Sequence, residues 1–192
     1  MKKNFKHLLS ASALVLFAFI AFGSMDDEET DNSTNSTTST SSENSTTENE
    51  NGSNWKYSED IDEMDNTKRT VARINSENSI KFDFPYGNSD FSLNVRNWKG
   101  STDIYLTCSK CQFISGFSGE KTYRIKFDDE APINVSANHS TSGSSDVVFL
   151  GSESKIISKL KKSEKLMIEA EFFDSGLHNI TFSTKEFEWN VK

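Results

Sequence analysis

The feature that most constrains this chain is a period-two alternation of apolar and polar residues, repeated in short blocks between Phe91 and Phe182. Phe91, Leu93 and Val95 alternate with Ser92, Asn94 and Arg96; Ile104, Leu106 and Cys108 alternate with Asp103, Tyr105 and Thr107. Tyr123, Ile125 and Phe127 alternate with Thr122, Arg124 and Lys126. Shorter stretches follow at Ile133 and Val135, at Leu166, Ile168, Ala170 and Phe172, and at Ile180 and Phe182. Successive side chains of a strand point to opposite faces, so each block predicts a half-buried antiparallel strand. Turn residues punctuate the blocks. Phe84-Pro85-Tyr86-Gly87 places proline and glycine as a type I turn wants them, and Asp174-Ser175-Gly176 suits a short hairpin.

One segment departs from this period. Between Ser152 and Lys162, Ile156, Ile157 and Leu160 fall at helical spacing, with Ser152 as the expected N-cap. Glu153 suits the first turn, and Lys159, Lys161 and Lys162 suit the last. About eight to ten strands with one short α-helix predict a mainly β fold, an antiparallel two-sheet β-sandwich with the helix over an open end.

The N-terminus reads as an export signal. Lys2, Lys3 and Lys6 precede an apolar run of 15 residues, Leu8 to Phe22, and Ala21 and Gly23 supply the small residues that cleavage requires. Residues 1–23 are thus expected to be a signal peptide cut after Gly23, with an uncleaved signal anchor as the alternative. Ser24 stands where a bacterial lipoprotein would need cysteine.

Residues 24–53 consist almost wholly of Ser, Thr, Asn, Asp and Glu, with eight acids and no base. Such a stretch buries too little apolar surface to offset its chain entropy, and so predicts a disordered, self-repelling acidic linker. The triplets at Asn32, Asn35, Asn44, Asn51, Asn134, Asn138 and Asn179 match the glycosylation sequon, as this composition would produce by chance. Removing the three signal lysines takes the formal charge from −8 to −11, and removing the eight linker acids leaves −3 on residues 54–192. A nearly neutral domain without a basic stripe predicts no nucleic-acid partner, and membrane contact only through an uncleaved anchor.

Few residues carry chemistry. Cys108 and Cys111 form a Cys-Ser-Lys-Cys motif at the end of a predicted strand. Redox-active pairs of this spacing usually open a helix, whose dipole lowers the thiol pKa, so a structural disulfide across a turn is expected and a thiol oxidoreductase is the alternative. A loop this short yields only about 2 kcal/mol on chain-entropy grounds.

The acids Glu59, Asp60, Asp62, Glu63 and Asp65 lack the spacing of a calcium loop, and Asp128, Asp129 and Glu130 follow a strand. Both clusters read as solvated turns, with carboxylate-dependent hydrolysis as the alternative. With only His139 and His178 beyond the cysteines after residue 23, no zinc site, other metal or cofactor is expected. Trp98, Tyr105 and Phe173 lie opposite the apolar stripes of their strands, where they would form a binding platform if uncovered.

The domain as a whole resembles the periplasmic accessory proteins associated with type VI secretion. The layout runs from Trp55 through Asp65-Asn66-Thr67-Lys68, Leu93-Asn94-Val95-Arg96, Asp103-Ile104-Tyr105-Leu106, Arg124-Ile125-Lys126-Phe127-Asp128 and Phe149 to Leu166-Met167-Ile168-Glu169. The acidic linker and the cysteine pair depart from it. The resemblance implies a non-enzymatic envelope protein that acts through contacts, and it supplies no functional residues. The expectation is an exported binding or accessory module, periplasmic, envelope-associated or extracellular, whose partner is an envelope protein or a glycan.

Overall fold

The computed structural model describes residues 46–47, 53–117 and 119–191. The expected signal and almost all of the acidic linker lie outside the described residues. Twelve strands and one helix are described: β1 Thr46–Thr47, β2 Lys56–Asp62, β3 Thr67–Asn75, β4 Ile80–Lys81, β5 Asn88–Ser89, β6 Phe91–Trp98, β7 Ser101–Cys108, β8 Thr122–Phe127, β9 Ile133–His139, β10 Val147–Leu150, α1 Glu153–Leu160, β11 Lys165–Phe172 and β12 Gly176–Ser183. The fold is mainly β. Ten strands hydrogen-bond as one antiparallel sheet in the order β1-β2-β3-β6-β7-β10-β9-β8-β11-β12, while β4 and β5 form a separate small sheet. None of the described helices is long and apolar enough to cross a membrane.

The sheet curls, because links join the two ends of its order. Between β3 and β4, Glu77 N–H donates to the Thr181 carbonyl at 2.8 Å, and Asn78 Oδ1 accepts from Thr181 N–H at 2.8 Å. Trp55 Nε1–H donates to the Thr184 carbonyl at 3.3 Å. The inward side chains of the alternating blocks consequently meet in a single buried cluster that includes Leu93, Val95, Ile104, Leu106, Ile125, Ile168 and Phe182. The hydrophobic effect that drives this is on the order of 25 cal/mol per Å² of apolar surface removed from water.

Several local expectations are corrected. The first half of the central strand β6 is buried on both sides, with Ser92 and Asn94 buried alongside Leu93 and Val95, while Arg96 and Trp98 further along are partly exposed. The acids from Glu59 to Asp62 belong to a strand, β2, and not to a turn. Across the β2–β3 ladder Asp60 lies opposite Arg69 and Glu59 pairs with Lys68, so cross-strand charge attraction makes an acidic strand tolerable. The proline turn is built one residue earlier than expected: Tyr86 N–H donates to the Asp83 carbonyl, and the cis Phe84–Pro85 bond puts proline third, as in a type VI turn. Ser152 precedes α1 in a left-handed conformation, and its hydroxyl caps nothing. Ile156 and Leu160 carry the buried face of α1.

Tyr123 illustrates how separate segments are fastened. Its ring is 1 % exposed on β8, and its hydroxyl donates to the Ile114 carbonyl at 2.8 Å. Burial, with the nearby Glu171 carboxylate second, pushes the phenol well above its ordinary value of 10.0. A raised folded pKa means the native state holds this proton more tightly than the unfolded chain does. Stability is therefore complete below pH 10 and declines as pH rises toward the folded value. Tyr123→Phe is expected to cost about 0.5–1.5 kcal/mol near neutrality and to flatten the alkaline limb of a denaturation-midpoint-versus-pH curve. An unchanged limb would remove Tyr123 as its source.

Candidate cationic hollow on the outer sheet face

The outward residues of β2, β3, β6, β7 and β10 form a second, polar surface. Register sets its rows. Lys56 faces Arg73, Arg73 faces Asn94, Asn94 faces Tyr105 and Tyr105 faces Phe149. One row along, Ser58 faces Val71, Val71 faces Arg96 and Arg96 faces Asp103. Trp98 follows, opposite Arg69. A hollow of about 390 Å³ opens here, walled in part by Lys56, Arg69, Arg73 and Arg96, and Asp60 is the one carboxylate among its walls.

Arg96 is the centre of the arrangement. Its Nη2 lies 2.6 Å from Asp103 Oδ2, and its guanidinium carbon sits 5.3 Å from the Tyr105 ring centre, 5.7 Å from Trp98 and 5.8 Å from Phe149. Each such cation–π contact is worth about 0.5–1 kcal/mol near a surface. Trp98 also receives Lys99 Nζ at 5.0 Å, and Tyr105 and Phe149 pack with ring centres 5.3 Å apart. These aromatic faces are engaged in holding cations. They buttress Arg96.

Among the described residues Lys56 and Arg73 have no ion pair, whereas Arg69 pairs with Asp60. Arg73 Nη2 donates to Ser92 Oγ at 2.9 Å, and Ser92 Oγ donates in turn to Asn75 Oδ1 at 2.9 Å. Asn94, only 4 % exposed, lines the hollow; its amide nitrogen makes long bonds of 3.4 and 3.5 Å to the Ser92 and Tyr105 carbonyls. Its Oδ1 accepts no hydrogen bond among the described residues. Two of the four cations are already paired, Arg69 with Asp60 and Arg96 with Asp103, so Lys56 and Arg73 supply the positive excess that can bind an anionic group. The near-neutral sum of charges over residues 54–192 conceals this local excess.

The residues singled out from sequence separate in space. Trp98 and Tyr105 meet around Arg96. Phe173 stands apart from that cluster, 55 % exposed at the turn from β11 into β12. Cys108 and Cys111 are joined in a disulfide with Cα atoms 5.9 Å apart, both buried, where β7 ends and extended chain continues to a bridge at Phe113. No helix begins there to lower a thiol pKa. A disulfide is consistent with an oxidising location.

Arg96 and Phe149 were not expected in the site. The signal for Arg96 lay in the Arg96-Asn97-Trp98 and Asp103-Ile104-Tyr105 sequences, where opposite charges and aromatics become neighbours once β6 and β7 pair, whereas Phe149 arrives only through the β7–β10 pairing.

The remaining groups of interest are used locally. Ser115 Oγ lies 2.7 Å from His139 Nδ1, and the Phe117 ring packs on the same imidazole at 4.8 Å. His178 bonds Ser175 and meets the Phe82 and Phe172 rings edge-on. Neither imidazole is oriented by a carboxylate among the described residues, as a nucleophile-activating triad requires. Asp128 Oδ1 accepts from the Glu164 and Lys165 amides at 3.1 and 2.8 Å, which ties β8 to the start of β11.

At the β2–β3 turn the Asp65 carboxyl is held down at about 2, chiefly by its bond with Lys99 and then by Thr67. A larger cleft of about 580 Å³ lies under the C-terminal tail, but Glu59 and Lys68 in its wall neutralise each other. Compared with known proteins, the chain matches no family model, no curated protein and no solved structure.

Proposed function

We propose that this chain is an exported, non-enzymatic binding module of the cell envelope or extracellular space, and that it grips an acidic partner through the cationic hollow. The observation that carries the reading is the pairing of buttressed Arg96 with uncompensated Lys56 and Arg73 around one cavity. Cations held in place before binding lose little side-chain entropy on meeting an anion, and charge-assisted hydrogen bonds are roughly twice as strong as neutral ones. The Cys108–Cys111 disulfide supports an exported location, and the signal-like N-terminus and linker are part of the same proposal. So is a role as a contact-making accessory protein of a secretion system. We also read the curled sheet as a two-layer β-sandwich, with β2, β3, β6 and β7 facing β8, β11 and β12 across the core. The packing of Phe91 from β6 against Phe172 from β11, ring centres 5.6 Å apart, supports that reading.

The test is a binding panel of acidic and neutral peptides and glycans. Acidic members alone should bind, and the Lys56→Gln/Arg73→Gln double variant should lose roughly tenfold or more in affinity, as expected for hydrogen bonds to charged groups. Affinity should fall as salt rises. Binding that ignored both substitutions, or turnover of any panel member, would overturn the proposal.

A further inference from the structure

We infer that the acidic partner is a linear glycan in which charged and neutral sugars alternate, bound along the outer face of β3, β6 and β7 with one acid between Lys56 and Arg73. The inference rests on the anion-binding reading of the hollow given above and names the class of chain that fills it.

The outer face continues past the hollow. A second hollow of about 470 Å³ shares Arg73 as a wall and is bounded further by Asn75, Ser92, Thr107 and Ser109. Register makes it the next row of the same face, since Asn75 lies opposite Ser92 and Ser92 opposite Thr107. Two residues along an antiparallel strand advance about 6.8 Å, a step comparable to one pyranose unit. Neighbouring units of one chain therefore meet neighbouring rows.

The two rows differ in what they offer. In the first, Lys56 and Arg73 stand directly opposite each other with no ion pair among the described residues, and like charges so placed repel. A carboxylate between them replaces that repulsion with charge-assisted bonds. In the second, Arg73 and Asp90 are the charged walls, so a second acid there would meet a like charge. Asn75 Oδ1 accepts from Ser92 Oγ, while Asn75 Nδ2 and the Thr107 hydroxyl have no partner among the described residues. These free groups suit a neutral sugar, whose hydroxyls both donate and accept.

The sheet itself favours a glycan over a peptide. An extended peptide gains its main-chain hydrogen bonds by adding to a free sheet edge. β3, β6 and β7 each lie between two other strands, so their backbone groups are spent in ladders and side chains alone meet the ligand. Hydroxyls, amides and two cations match the hydroxyls and carboxylates of an acidic glycan.

The probes are unsulfated hyaluronan and chondroitin octasaccharides, in which a uronate alternates with a neutral N-acetylhexosamine. Deca-glutamate is the acidic peptide and chitohexaose the neutral glycan. In titration calorimetry of the full chain at low salt, at least one octasaccharide should bind about tenfold more tightly than deca-glutamate, with chitohexaose weaker still. Arg73→Gln should weaken the octasaccharide and deca-glutamate alike, by roughly tenfold. Thr107→Val and Asn75→Ala, at half-buried and exposed positions, should each weaken the octasaccharide about threefold to tenfold and leave deca-glutamate unchanged.

Deca-glutamate binding at least as tightly as both octasaccharides, and lost with Arg73→Gln, would keep the hollow as an anion site and overturn the glycan. Octasaccharide binding that both Thr107→Val and Asn75→Ala leave intact would overturn it too, because the second hollow would then hold no sugar. Chitohexaose binding as tightly as the better octasaccharide, or no binding by any of the four probes, brings down the anion site itself.

Discussion

Phe172→Ala is expected to lower stability by about 3–5 kcal/mol, the usual range for removing a buried aromatic ring. The ring closes β11 at 2 % exposure and touches four others from separate segments: Phe82 at 5.0 Å, Phe113 at 5.1 Å, Phe91 at 5.6 Å and His178 at 5.9 Å. Its loss opens a cavity between β6, β11 and the β4–β5 arm, and rigid neighbouring rings cannot collapse to fill it. Phe173→Ala is the matched control, since the adjacent ring is 55 % exposed, and a change within about 0.5 kcal/mol is expected. Urea denaturation of both variants reads the difference directly. Equal costs at the two positions would mean that Phe172 is not the joint between these segments.

The contrast between Phe172 and Phe173 shows what sequence could and could not disclose. Phe172 continues the stripe of Leu166, Ile168 and Ala170, and alternation alone placed it inside. Alternation also marked Tyr123, Ile125, Phe127, Ile180 and Phe182, all of which are buried. It gave no hint of β2, because Lys56-Tyr57-Ser58-Glu59-Asp60-Ile61-Asp62 has only two large apolar residues on its inward side and becomes a strand through Arg69 and Lys68 across the ladder. That information is non-local, as is every outer-face neighbour.

Trp98 and Tyr105 could be flagged by parity. That they clasp Arg96, and that Lys56 and Arg73 arrive beside it from two other strands, depends on a strand order no local pattern encodes. Phe173 shared the parity argument and does not join them, because β11 lies beyond β10, β9 and β8 from β7 in the sheet order.

Trp55→Ala is expected to cost a similar 3–5 kcal/mol, and its distinctive consequence is release of the C-terminal tail. The indole is 1 % exposed, lies 4.6 Å from the Phe187 ring, and donates through Nε1–H to the Thr184 carbonyl. Phe187 stacks in turn on Trp189, while the Tyr57 hydroxyl accepts from the Glu188 amide at 2.9 Å. Residues just before and within β2 thus hold the tail, and the tail covers the inward side of the same edge. Trp55→Phe keeps the ring contact and loses only the donor, so it should cost less, about 1–3 kcal/mol including the unpaired carbonyl.

Hydrogen exchange separates the two substitutions. Trp55→Ala should expose the Glu188 amide and leave Ile168 and Ile125 protected, whereas Trp55→Phe should preserve all three. A protected Glu188 in the alanine variant would show that the tail docks without Trp55. The coupling matters for the hollow because Lys56 follows Trp55 directly. Alternation sends their side chains to opposite faces, so the buried indole fixes the register that points Lys56 outward beside Arg73. Loss of acidic-peptide binding in Trp55→Ala, with Trp55→Phe close to native, is therefore the expected signature of a core residue that positions a surface cation.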